Sequence, residues 1–209
     1  MVLRGRHKSF ASLRESASEG VDYSILLRER ASRIAIIAPH GGGREPGTSE
    51  VAEFIAGRTH SLYCFKGIKN SGNSVLHITS TQFDEPRCEE LIRSAEIVVA
   101  IHACDLREAV IYVGGLLNEL RAAIIVGLTE VGFDALEDDT HHGGADPRNI
   151  CNRGRSHRGV QLELSHGLRR TMFESLSRKG RTTTTTSFSK LTTAIRQLLI
   201  ACPEGPAVE

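Results

Sequence analysis

The 209-residue sequence contains no apolar run approaching the length of a membrane span, so a spanning helix is not expected. Its start, MVLRGRHKSF, is basic but lacks the apolar stretch of a secretory signal. Charge imbalance is also missing: 26 basic side chains face 25 acidic ones. That balance argues against a general binder of nucleic acid or of membrane surfaces. Cysteines are few and odd in number (Cys64, Cys88, Cys104, Cys151 and Cys202) and form no CxxC pair, so reduced thiols are expected rather than a disulfide framework. These absences together lead us to expect a cytoplasmic protein. Two catalytic motifs fail for want of one residue type each. The HGGG of His40–Gly43 has no GxSxG nucleophile elbow to serve, and GIKNSGNS at Gly67–Ser74 carries Asn73 where a phosphate-binding loop needs lysine.

Short apolar runs at Ile34–Ala38, Leu62–Phe65, Val75–Thr79, Ile97–Ile101, Ala123–Leu128 and Val160–Leu164 predict strands. Helical signals separate some of them. Thr48 is a suitable N-cap, Glu50 sits in the first turn, and Val51, Phe54 and Ile55 share a face before Gly57. A second helix is expected over Cys88–Ser94 after Pro86, and a third where Leu191, Ile195, Leu198 and Leu199 form a stripe before Pro203. Leu106–Glu119, with its Gly114-Gly115, is expected to be irregular, and Thr182–Thr186 a linker or an edge strand. Alternating strands and helices predict an α/β domain around an open, mixed or mainly parallel sheet with helices on both faces. IAIIA and IVVAI are apolar on both sides, as central strands require. The long connection from Leu136 to Ser156 lacks periodicity and has the length of a functional loop.

In open α/β sheets, sites form beyond the carboxyl ends of the central strands. His40 follows IAIIAP and His102 follows EIVVAI, so both imidazoles emerge there. Glu45 lies five residues after His40, across glycines 41, 42 and 43 that permit a sharp turn. Two imidazoles and a carboxylate are the ligand set of many hydrolytic zinc sites, so Zn²⁺ is the expected cofactor. Glu50 and Glu53 are better explained as a helix face. Cys104 is a weaker alternative ligand, and the adjacent pair His141-His142 is poorly arranged for one centre. In GVQLELS, Val160, Leu162 and Leu164 alternate with Gln161 and Glu163, so Glu163 points away from the leucines and is a candidate general base. NICNRGRSHRG offers Asn152, Arg153, Arg155 and Arg158 as donors for substrate carboxylates. Without aromatic stacking residues, a nucleic-acid reading of that loop is weaker.

EGVDYSI, APHGGGREPGTSEVA, the IH after an apolar strand, and NICNRG…RGVQLELSHGLRR together resemble the phage-type poly-γ-glutamate hydrolase family, from about Glu19 to Arg170. The resemblance implies a compact relative of zinc carboxypeptidases that cleaves γ-glutamyl amides. It implies zinc on His40, Glu45 and His102, Glu163 as general base, and Asn152, Arg153 and Arg158 on the substrate. An anionic glutamyl polymer, or another carboxylate-bearing molecule, is then the expected partner, and release by lysis accompanies a phage origin. Arg44 stands where an apolar residue is expected and Ala103 where glycine is common, which alters the width and charge of the site. The domain is expected over 19–201, with an N-terminal extension at 1–18 and a tail at 202–209. Two other readings stay open: a zinc amidase or peptidase for a different carboxylate-bearing substrate, and a non-catalytic polyanion-binding module.

Overall fold

A computed structural model describes residues 7–138 and 143–202. The elements run α1 (Phe10–Arg14), β1 (Tyr23–Arg28), β2 (Ile34–Gly42), α2 (Thr48–Ala56), β3 (Ser61–Gly67), α3 (Pro86–Ser94) and β4 (Ile97–Ala103). There follow β5 (Val110–Gly115), α4 (Asn118–Glu130), β6 (Asp134–Glu137), β7 (Val160–Leu164), α5 (His166–Met172) and α6 (Thr186–Ala201). The strands form one mixed sheet in the order β1-β3-β2-β4-β7-β5-β6. β3, β2, β4 and β7 are mutually parallel, whereas β1 joins β3 and β5 joins β7 in antiparallel fashion. The chain leaves β2 to one side for β3 and returns to the other side for β4, so the crevice between β2 and β4 is a topological switch point.

Side-chain alternation divides the interior into two layers. Ile34, Ile36 and Ala38 of β2 face a core shared with Val51 and Ile55 of α2, Leu120, Ile124 and Leu128 of α4, and Leu191, Ile195 and Leu199 of α6. Ala35 and Ile37 face the opposite core, built from Phe10 and Leu13 of α1, Leu91 and Ile92 of α3, and Phe83, Ile150 and Cys151. α1 therefore belongs to the folded domain. Phe10 and Leu13 fill a core position in what the sequence suggests is an extension, and His7 bridges Ile78.

Three predicted elements take another form. Ala123–Leu128 lies inside α4, because the buried positions Leu120, Ile124 and Leu128 recur at four-residue spacing while Val126 is exposed. Among the described residues, Val75–Thr79 makes only the isolated bridge of Ile78 to His7. Asn73 accepts a hydrogen bond from Lys69 N (3.1 Å) and donates to Lys69 O (2.9 Å), turning the chain into a single 3₁₀ turn at Asn73–Leu76. Leu106–Glu119 contains β5, and its glycines serve the approach of another backbone: a Cβ on Gly114 would lie 2.1 Å from Gly143 O. Thr185 caps α6 through its hydroxyl, with Thr186 as the first helical residue. Thr48 is likewise the first residue of α2, behind Gly47 as N-cap.

Candidate metal centre and active-site cleft

His40 reaches the site through an irregularity in β2. Strict alternation from Ile36 and Ala38 would send it into the α2 core. Ala38 pairs with Cys64 and Gly41 with Lys66, so β2 spends one extra residue at Pro39. This bulge re-aims His40 to the opposite face, where its ring meets Phe83, His77 and His102. The glycines that follow continue the β2–β3 pairing before the turn. Gly42 has φ +66°, and a Cβ there would sit 2.4 Å from Gly67 O, so no side chain fits. Gly43 N donates to Gly67 O (2.8 Å) and Glu45 N returns to His40 O (2.9 Å), closing a turn that folds Glu45 back beside His40.

The resulting cluster is tight and buried. His40 Nδ1 is 3.1 Å from Glu45 Oε1, His102 Nδ1 is 3.2 Å from His40 Nδ1, and His102 Nδ1 is 3.7 Å from Glu45 Oε2. His40, Glu45 and His102 are 3%, 8% and 3% exposed, a level at which carboxylates need strong partners. His40 Nε2 lies 2.7 Å from Ile78 O, which only accepts, so Nε2 carries a proton and Nδ1 faces the cluster, donating to Glu45 in the imidazolium and offering a lone pair to a cation in the neutral ring. His102 Nε2 lies 3.3 Å from Ser80 Oγ, leaving its Nδ1 turned the same way. Glu45 Oε2 also accepts from Ala103 N (3.0 Å). Burial opposes ionisation of Glu45, but attraction to His40 and hydrogen bonds from His102 and His40 outweigh it and hold the carboxyl far below its ordinary range.

This donor set fits a divalent cation. Tetrahedral zinc with bonds of about 2.0–2.2 Å separates its ligand atoms by about 3.3–3.6 Å; the two ring nitrogens lie 3.2 Å apart, and each lies near a different Glu45 oxygen, at 3.1 and 3.7 Å. Two imidazoles with outward nitrogens anchored on an acceptor and a hydroxyl have the supporting hydrogen bonds that orient metal ligands. His40 and Glu45 also form a trio with His77, whose ligand atoms lie within 4.8 Å of one another. The two trios share His40 and Glu45, and we favour the one with His102 because that ring leaves a central strand opposite Glu163. Burial and the positive charges of His40 and Arg44 depress the His77 imidazole to about 3, so it is neutral at physiological pH.

Glu163 stands beside the cluster by register. In the parallel pairing of β4 with β7, His102 is opposite Glu163 and Ala100 opposite Gln161, so these side chains share the face away from Leu162 and Leu164. Cys151 N donates to Asn149 Oδ1, leaving Asn149 Nδ2 to donate to Gln161 Oε1 at 3.0 Å. Gln161 Nε2 then donates to Glu163 Oε1 at 3.1 Å. Burial, and next the negative charge of Glu45, push the Glu163 carboxyl well above its ordinary position. A group raised in the folded state withdraws stability as pH climbs above its unfolded value of 4.5. Metal-free protein should therefore lose thermal stability above that pH, and Glu163→Gln should lose less. Melting curves of both across pH 4–8 check the sign; parallel curves would remove Glu163 as the cause.

The cleft over these groups has a volume of about 690 Å³, within the usual range of about 300–1,000 Å³ for ligand sites. His40, Glu45, His77, His102, Tyr112 and Glu163 are among its walls. None of the four residues expected to hold substrate lines it. Asn152 is buried and uses its amide on backbone: Oδ1 accepts from Gly159 N and Leu116 N, while Nδ2 donates to Gly144 O and Asp146 O. Arg153 pairs with Glu89 (3.0 Å) and donates to Phe83 O. Arg155 N bonds Ala95 O, at the start of β4 and hence the end of the sheet opposite the cleft; Arg158 faces Glu119 at 3.9 Å. The basic loop is thus a clamp on the fold. Asn152→Ala should cost about 2–3 kcal/mol of stability, read by denaturant unfolding, and leave KM unchanged. A raised KM with intact stability would contradict that role.

The sequence does not single out His77 and Ser80, because they sit in a short apolar run, SVLHITS, whose pattern is that of a strand. Nor does it single out Arg169, which is 3% exposed and donates to Leu164 O (3.2 Å), Pro46 O (2.9 Å) and Cys104 O (2.8 Å). Arg169 ties the loops after β2 and β4 to the end of β7. The signal was the cation in SHGLRR, one turn after the strand bearing Glu163. Cys104 lines the cleft, and burial pushes its thiol up. His141-His142 lies outside the described residues, as does most of the predicted tail.

Comparison with known proteins places the chain and its fold. The chain is 38% identical over 180 residues to UPF0714 protein YndL of Bacillus subtilis (strain 168), covering 85% of this chain and 71% of that one. A solved structure of a bacteriophage poly-gamma-glutamate hydrolase superposes with a TM-score of 0.91 at 34% identity, over 94% of this chain and 97% of that one. A zinc-free, apo structure of YndL gives a TM-score of 0.89 at 36% identity, over 94% and 98%. The model of the poly-gamma-glutamate hydrolase family matches residues 7–194, and the chain belongs to that family.

Proposed function

We propose that the protein is a zinc-dependent amidohydrolase that cleaves γ-glutamyl amide bonds of poly-γ-glutamate. The observation that carries this reading is the convergence of His40 Nδ1, His102 Nδ1 and the Glu45 carboxylate, with Glu163 on the neighbouring strand of the same face. The family match and the printed description of the bacteriophage relative supply the bond type. Zinc, when bound by this trio, supplies a Lewis acid that lowers the pKa of water to about 7 and polarises an amide carbonyl. Glu163 accepts the proton of the attacking water at the oxygen not bonded to Gln161, then delivers it to the departing amine. A carboxylate held above its ordinary range takes that proton up more readily than a surface glutamate. Asn149 and Gln161 keep the glutamate in register, and the buried walls limit competing water.

The test is incubation of zinc-loaded protein with poly-γ-glutamate and, separately, with α-linked polyglutamate, following product size over time. Shortening of the γ-linked chain alone is expected. Cleavage of the α-linked polymer at an equal rate would make the enzyme a general peptidase, and no cleavage of either would remove the hydrolase reading.

A further inference from the structure

We infer that Arg44 is the specificity residue that receives a free carboxylate of the substrate beside the scissile amide; this rests on the amidohydrolase reading above. The charge of the cleft is the first ground. Its described walls carry Glu45, Asp105, Asp138, Asp146 and Glu163, and among them Arg44 is the one arginine or lysine. A polymer with one carboxylate per residue must enter this acidic setting. Once Glu45 is committed to the cation, Arg44 is the side chain on these walls that offers the polymer a permanent positive charge.

The state of Arg44 is the second ground. Several other arginines of the fold are occupied, Arg28 by Glu53, Arg87 by Glu19 and Glu85, Arg181 by Glu50, while Arg58, Arg107, Arg155 and Arg170 stand exposed to water. Arg44 has no ion pair and no side-chain hydrogen bond among the described residues, although it is half-buried and its Nε is shielded from solvent without a partner. An enclosed guanidinium N–H without an acceptor is costly to keep. Its place on the cleft wall means that the acceptor comes with the ligand, and a planar fork of donors suits a carboxylate.

The third ground is position. Arg44 occupies the turn between His40 and Glu45, where Arg44 N meets Gly41 O at 3.4 Å and the flanking Gly43 and Glu45 amides are both bonded. Its backbone is therefore fixed relative to the reacting centre. In a γ-linked glutamyl chain, the nitrogen of every amide sits on a carbon that also bears a carboxylate. Inside an α-linked chain that carbon bears an amide carbonyl instead. A guanidinium anchored next to a metal ligand is thus placed to sense the linkage itself.

The test compares wild type with Arg44→Met and Arg44→Lys. Two substrates are used: a short γ-glutamyl oligomer, and the same oligomer with its α-carboxylates converted to carboxamides. Affinity for the acidic oligomer is also measured by calorimetry in a Glu163→Gln background, which does not depend on turnover. Arg44→Met should lower kcat/KM on the acidic oligomer about 30- to 100-fold, mostly through KM, and weaken affinity in step. It should change the carboxamide substrate less than about threefold and leave zinc content intact, and Arg44→Lys should recover part of the loss. Values within twofold of wild type, or equal losses on both oligomers, would overturn the assignment; the second result would make Arg44 a support of the loop. If Arg44→Met fails to fold, the lysine variant decides: an affinity loss on the acidic oligomer alone supports the assignment, and equal changes on both overturn it. Should wild type hold the acidic oligomer through Arg44 and cleave no γ-link, the reaction assignment would fall while the recognition site stood.

Discussion

Glu163→Gln should abolish most hydrolysis of poly-γ-glutamate, by about 10²–10⁴-fold in kcat, with zinc content unchanged. Glutamine has the shape of glutamate and an oxygen that still accepts from Gln161 Nε2, so the hydrogen-bonded row from Asn149 to residue 163 survives. What it lacks is a site for the proton that water must lose. Glu163 is opposite His102 in the β4–β7 register and is not one of the three converging ligand atoms, so its replacement does not remove a metal bond. Steady-state kinetics with metal analysis of the same sample separates the cases. Near-normal turnover would free Glu163 of the role, and coincident loss of zinc and activity would make it a ligand.

His102→Ala should have the second large effect, and it also decides between two overlapping trios. Loss of a residue that only orients a ligand weakens metal binding by about 10- to 100-fold, and removal of one of three direct ligands should exceed that. Activity should fall to background, and the gain in melting temperature on adding zinc should vanish, because that gain reflects binding to the folded state. His77→Ala is the informative companion. His77 packs its ring 4.3 Å from that of His40 and belongs to the alternative trio; with His102 as the third ligand, its loss should leave zinc bound with at most about a tenfold change. The reverse outcome, zinc lost with His77 and kept without His102, would transfer the third ligand to His77.

Much of the architecture is written in local pattern. The two doubly apolar strands, the helix after the glycine turn and the amphipathic C-terminal helix were legible because periodicity and burial coincide in them. β1 and β6 were not: both lie at the edges of the sheet, where partial exposure blurs the alternation. The strand expected at Ala123–Leu128 failed because a six-residue apolar window has no period of its own; only Leu120 and Ile124, read with Leu128, reveal the helix. The site was legible where strand ends carry it. His40, His102 and Glu163 follow apolar runs, and the parallel register brings His102 and Glu163 side by side. Even so, the face that His40 occupies depends on a one-residue bulge at Pro39, which alternation alone would misassign. The arginines of the NICNRGRSHRG loop misled because donor chemistry does not reveal which end of a sheet a loop covers. Arg153 is consumed by Glu89 and Phe83, while among the described residues the unpaired arginine of the cleft is Arg44, within the turn between His40 and Glu45.

Diffraction from zinc-soaked crystals at the zinc absorption edge shows whether His40, Glu45 and His102 jointly hold the metal. The predicted result is one strong anomalous peak about 2.0–2.2 Å from His40 Nδ1, His102 Nδ1 and a Glu45 carboxylate oxygen. A peak that engages His77 while His102 stands apart, or one at about 2.3 Å from the Cys104 sulfur, would contradict it.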